Sequence, residues 1–151
     1  MKFEQTKDII DHAVYFHRVI KEYCEDVRKQ SYNPRLHILL DYLIEHEKSR
    51  EQGILEYGKE ASAGIMETWF QFSTCEDQFA KLQDLLKSAN PTVENVIKTT
   101  ISLYDSFISQ FETFAAHAEI DEVRDVFLNI AVKEKKEKLK LARNSRMLDD
   151  M

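Results

Sequence analysis

The chain has 151 residues and a formal net charge of −6, with three glycines, two prolines and two cysteines. This length suits one domain, residues 1–151, with a sizeable core, and the low Gly and Pro content favours an all-α protein. The acidic balance argues against nucleic-acid binding, and the lack of about 18 consecutive apolar residues argues against a membrane span.

The first residues, Met1–Gln5, lack the apolar segment of a signal peptide, so we expect a cytoplasmic protein. Cys24 and Cys75 suit reduced thiols in that compartment and do not have the spacing of metal ligands. Residues 133–146 carry seven Lys or Arg against two Glu. A basic segment at the end of a helix complements the helix dipole.

Four long helices are predicted from apolar spacing and capping residues. Thr6 is the expected cap of the first, and the pairs Asn33-Pro34 and Asn90-Pro91 precede the second and third. The predicted bounds are about 6–31, 34–63, 91–118 and 122–146, with a frayed tail at 147–151. The three glycines fall late in the second helix or at its end, where they indicate a loosening of that helix.

The segment 64–90 connects the second and third helices. Met66, Trp69, Phe70 and Phe72 supply apolar bulk, and a capping-box pattern at 73–76 predicts a short amphipathic helix. Because this connection is long enough to run the length of a bundle, we expect a four-helix bundle with one long crossover. That is the topology of ferritin-like folds.

Two stretches, 36–54 and 123–141, resemble each other at an offset of 87 residues without a gap. Apolar residues recur in both at helical spacing, and each apolar stripe contains one glutamate, Glu47 and Glu134. A carboxylate in a core stripe is costly to bury unless it is paired, protonated or bound to a metal. These two glutamates therefore indicate a shared internal site.

The sequence resembles the rubrerythrin branch of the ferritin-like superfamily. The resemblance lies in residues 106–137, SFISQFETFAAHAEIDEVRDVFLNIAVKEKKE, and in residues 18–50 at the same register. It implies a four-helix bundle that holds two iron ions. One Glu comes from each of the first and third helices, and a Glu-x-x-His comes from each of the second and fourth.

Carried over position by position, the resemblance implies a degenerate di-iron site. The retained positions are Glu22, Glu47 and Glu134, and the substituted positions are Arg50, Ser109 and Glu137. Glu137 still offers an oxygen ligand, and Glu112 matches an additional glutamate of the third helix. Arg50 replaces a histidine, and a guanidinium has no lone pair for a metal.

Three interpretations follow. In the favoured one the protein binds no cofactor and is a non-catalytic structural or interaction module, with Arg50 neutralising the buried glutamates in place of the metal. In the second, Glu22, Glu47, Glu134 and Glu137 hold iron, manganese or zinc, with residual oxidoreductase or metal-handling activity. In the third, the register is wrong and these glutamates lie in water.

The five histidines are expected to have structural roles. His12 and His17 are predicted to pack at the edge of the core, His37 and His46 lack ligand spacing, and His117 suits a helix end. Bundles of this type often pair, so we expect a homodimer.

Overall fold

The computed structural model describes residues 2–72 and 91–150. Within these ranges the chain forms five helices and two short strands. In chain order these are β1 Lys2–Gln5, α1 Thr6–Gln30, α2 Pro34–Glu60, α3 Ala63–Met66, β2 Trp69–Phe72, α4 Val93–His117 and α5 Asp121–Asp149. The predicted all-α class is confirmed, with the addition of a small ribbon. No helix in the described ranges is both long and apolar enough to cross a membrane.

The long helices form two hairpins. α1 packs along α2, α4 packs along α5, and the hairpins meet chiefly where α2 contacts α5. The first hairpin turns sharply because Asn33 caps α2: its side-chain oxygen accepts the backbone N–H of Arg35 at 3.1 Å. Pro34, at the first helical position, has no N–H to leave unsatisfied.

The internal repeat extends to α1 and α4. Buried positions of α1 recur in α4 at the offset of 87 that separates His17 from Tyr104. The buried pairs are Ile9 and Val96, Ala13 and Thr100, Phe16 and Leu103, His17 and Tyr104, Ile20 and Phe107, Cys24 and Phe111, and Val27 and Phe114. Since α2 and α5 repeat at the same offset, the two hairpins are equivalent halves of one pattern.

A two-stranded antiparallel ribbon was not predicted. β1 pairs with β2 so that Gln5 faces Trp69 and Lys2 faces Phe72. Thr6 is consequently not a cap but the first residue of α1, and its backbone N–H donates to the Thr68 carbonyl at 2.9 Å. The pairing joins segments more than 60 residues apart, so local sequence patterns cannot show it.

The helix ends differ slightly from the prediction. α2 ends at Glu60, and α3 begins separately behind Ser62, whose hydroxyl accepts the Ile65 N–H at 3.3 Å. α4 begins at Val93 with Thr92 as its cap. The predicted cap Asn90 and the predicted short helix after 73–76 lie outside the described residues.

The predicted fraying of the C-terminal tail is wrong up to Asp149, because α5 continues to that residue. Ser145 is buried and Leu148 packs against the core, so the inward face of α5 extends past Arg146. Arg35 on α2 also donates a hydrogen bond to the Asp149 carbonyl. Both contacts hold the last turns of α5 against the first hairpin.

We expect Leu40→Ala to lower the free energy of unfolding by about 2–5 kcal/mol, since Leu40 has no exposed surface and its removal leaves a cavity. Ile38→Ala, on the same turn of α2 but 46% exposed, should change it by about 0.5 kcal/mol or less. Urea unfolding followed by far-ultraviolet circular dichroism measures both. Equal effects would contradict the assigned inward face of α2.

Candidate functional site

A buried histidine joins two glutamates between the two helical hairpins. His17 on α1 contacts Glu47 on α2 through Nδ1, and its Nε2 lies 3.2 Å from Oε1 of Glu134 on α5. None of the three side chains has exposed surface. Because a buried carboxylate without a partner is strongly destabilising, these contacts are what allow both glutamates to face inward.

His17 carries a proton on each ring nitrogen, because an ionised carboxylate only accepts hydrogen bonds. Burial alone would lower the pKa of His17, but the charges and hydrogen bonds of Glu47 and Glu134 outweigh it and raise the pKa to about 9. Burial alone would raise the pKa of Glu47, whereas His17 and His46 bring it down to about 2. The centre is therefore an imidazolium between two carboxylates.

Tyr104 brings α4 into the same network. Its hydroxyl donates to Glu47 Oε1 at 2.7 Å and lies 3.5 Å from Nδ1 of His17. Burial, and then the charges of Glu47 and Glu134, raise the pKa of Tyr104 well above its usual value, so the phenol remains a neutral donor. Each of the four long helices thus contributes at least one side chain to the centre.

Arg50 supplies a second cation. Its Nε lies 3.1 Å from Glu134 Oε1, and its Nη2 donates to the same oxygen. Gly53 leaves space for the guanidinium, since a Cβ on this glycine would lie 3.0 Å from Arg50 Nη1. Two cations, His17 and Arg50, therefore balance two carboxylates, Glu47 and Glu134.

On one side, the buried His46 connects this centre to a partly exposed rim at Glu137 and Lys133. His46 Nε2 lies 3.1 Å from Glu137 Oε2, and Lys133 Nζ lies 3.2 Å from the other Glu137 oxygen. A cavity of about 350 Å³ between α2 and α5 is bordered by Arg50 and Lys133. Solvent therefore approaches the Arg50 end of the network, while His17 stays enclosed.

The structure brings together only some of the residues that the sequence singled out. Glu47, Arg50 and Glu134 meet at the centre, and Glu137 lies half-buried at the rim. Glu22, Ser109 and Glu112 are exposed, and Glu112 pairs with Lys135 on α5 at 3.2 Å. None of these three reaches the centre.

Helical phase explains why Glu22 lies outside. It stands two residues from both Ile20 and Cys24, which face the core, and a step of two residues rotates a helix by about 200°. Ser109 has the same relation to Phe107 and Phe111 on α4. The positions carried over from the family keep the residue spacing along the chain, but on these two helices they fall on the exposed face.

His17, His46 and Tyr104 are the site residues that sequence reasoning missed. His17 was predicted to pack at the edge of the core, but it lies at its centre. Two signals mark it: it follows Ala13 by four residues and precedes Ile20 by three, which places it on the inward stripe. It is also the repeat partner of Tyr104.

The protonated centre offers few donors to a metal. Neither an imidazolium nor the guanidinium of Arg50 has a lone pair to give, and burial followed by the charge of Glu47 raises the pKa of the Cys24 thiol. Glu134 Oε2 is buried without a hydrogen-bond partner. In the described parts of the chain no group of three or more His, Cys, Asp or Glu side chains is arranged to hold an ion.

Comparisons with protein-family models, with curated proteins and with solved structures found no match to this chain.

The free energy of unfolding should be highest between about pH 5 and pH 6.5. The pKa of His17 is raised, so its contribution is complete below its ordinary 6.5 and is lost as the pH rises through about 9. The pKa of Glu47 is lowered, so its contribution is complete above 4.5 and is lost as the pH falls toward about 2. The alkaline loss is on the order of 3 kcal/mol, measurable by urea unfolding across the pH range.

His17→Gln should remove the alkaline loss, whereas His12→Gln, at a half-exposed side chain, should keep it. Nitrogen-15 NMR gives an independent reading, because both ring nitrogens of His17 should carry protons near pH 8. A single unprotonated nitrogen there would contradict the assignment.

Proposed function

We propose that this chain is a rubrerythrin-like member of the ferritin-like superfamily in which internal cations have replaced the di-iron site, leaving a non-catalytic structural or interaction module. The observation that carries the proposal is the His17 ring between Glu47 and Glu134, two buried carboxylates related by the internal repeat. A divalent cation bridging those carboxylates would have the same electrostatic role.

Positions on the four helices support this origin. Glu47 and Glu134 stand on the second and fourth long helices, where a ferritin-like site carries its Glu-x-x-His motifs. The positions three residues later hold Arg50 and Glu137 instead of histidines. The inward positions on the other two helices, where the family has a glutamate each, are His17 and Tyr104.

The residues at this centre do not fit a di-iron site. Two carboxylates reach it instead of four, and both nitrogens of His17 are directed at them as donors. Arg50 adds a fixed positive charge beside Glu134, which opposes the approach of a second cation. Oxygen chemistry at two irons would need open coordination positions and neutral histidine ligands, and the protonated His17 and Arg50 supply neither.

One observation favours the alternative, a carboxylate-bound iron, manganese or zinc protein with residual oxidoreductase or metal-handling activity. Glu134 Oε2 is buried without a partner and would gain from a metal ligand bond. This alternative requires His17 to lose a proton and Arg50 to move away from Glu134, so metal binding would be steeply favoured by alkaline pH.

Metal content separates the two candidates. Protein purified anaerobically with added iron, manganese or zinc should contain far less than one ion per chain, because His17 and Arg50 already neutralise the carboxylates. Elemental analysis measures this. A near-stoichiometric ion that both Glu47→Ala and Glu134→Ala abolish would establish the metal-binding alternative.

Rebuilding the ligand set tests the ancestry. The combined change His17→Glu, Arg50→His, Tyr104→Glu and Glu137→His places six ligands at the inward positions of the four helices and should create iron binding. The matched control combines Arg50→His, Ser109→Glu and Glu137→His and keeps Glu22, so it follows the register read from the sequence. Because positions 22 and 109 are exposed, the control has two fewer ligands at the centre and should bind iron more weakly than the inward variant.

Iron titration followed by absorbance and thermal unfolding provides the readout for both variants. A folded inward variant that gains no iron would contradict the proposed origin. Iron binding by the control as tight as that of the inward variant would contradict the helix faces described above.

A further inference from the structure

The outward face of α5 carries residues at the spacing of a coiled coil, alternately four and three apart. We call this set the α5 seam: Asp121, Asp125, Leu128, Val132, Lys135, Leu139, Ala142 and Arg146. Leu128, Val132 and Leu139 are 39%, 51% and 67% exposed. Three large apolar side chains in one outward row on a single helix indicate a contact surface.

The seam changes in character along the helix. Its first members, Asp121 and Asp125, are acidic, its middle is apolar, and its end, at Arg146 with the adjacent Arg143, is basic. Asp121 pairs with Arg124 on its own helix, whereas in the described part of the chain Asp125, Arg143 and Arg146 have no ion-pair partner. The charge order therefore leaves opposite signs at the two ends of one exposed row.

An antiparallel copy of the same helix complements this order at its ends and in its apolar middle, while Asp125 faces Ala142, next to Arg143. With the two-fold axis between Lys133 and Glu134, Asp121 faces Arg146 of the second copy and Leu128 faces Leu139. Val132 then faces Lys135, whose amine pairs with Glu112 on its own α4 at 3.2 Å, so that its aliphatic stem is left for Val132. A parallel pairing would instead place Asp121 against Asp121.

We propose that the α5 seam pairs with the α5 seam of a second copy of this chain in an antiparallel, two-fold symmetric dimer. Residues 121–146 span about 38 Å along the helix axis, enough for a continuous interface. This inference is independent of the proposal for the buried centre. It assigns the expected homodimer to one surface and one register.

Charge reversal tests the register. Asp121→Lys places a lysine against Arg146 of the second copy, and Arg146→Asp places an aspartate against Asp121 of the second copy, so each variant should weaken the dimer at least about tenfold. An equimolar mixture of the two variants should recover wild-type affinity as a heterodimer, because both contacts again join opposite charges. The double variant Asp121→Lys, Arg146→Asp should recover it as a homodimer. Sedimentation equilibrium measures all four samples.

Glu122→Lys is the matched control. Glu122 lies in the same first turn of α5 and is exposed, but it stands off the seam. If Asp121 acted only on the helix dipole, Asp121→Lys and Glu122→Lys would have the same effect, and neither would change the dimer affinity. A monomeric wild-type chain, a dimer insensitive to Asp121→Lys, or failure of the mixture to recover affinity would each overturn the proposal.

Discussion

The fold depends on neutralising two carboxylates where no water reaches them. Glu47 and Glu134 are held ionised by His17, and their burial would otherwise oppose packing of the two hairpins. The centre takes at least one side chain from each of α1, α2, α4 and α5. A shift of any one helix along its axis would break a hydrogen bond in the interior, so the network fixes the register of the hairpins as well as their contact.

Positions related by the internal repeat carry side chains of different charge in the two hairpins. The inward pair His17 and Tyr104 gives a cation in one half and a neutral donor in the other. The pair Arg50 and Glu137 gives a second cation and an acceptor. Both cations stand in the first hairpin, and one of the two glutamates that they neutralise stands in the second. Opposite charges therefore attract across the junction, in addition to the apolar contacts.

Local patterns in the sequence predicted the long helices because apolar spacing and the Asn33-Pro34 cap act over a few residues. The inward position of Glu47 and Glu134 also followed, since their stripes continue apolar on the same face. Glu22 was placed inward by a spacing carried over from a family, and helical phase places it outside. His17 is not recognisable as a cation from its neighbours alone, because its protonation depends on residues 30 and 117 positions away.

The ribbon has a spectroscopic consequence. The only tryptophan of the chain is Trp69, which lies on β2 and is 66% exposed. Its fluorescence emission therefore reports on the ribbon formed by β1 and β2, and not on the packed helices. Detachment of the ribbon before the helices unfold would appear as a fluorescence transition without a matching loss of helical ellipticity.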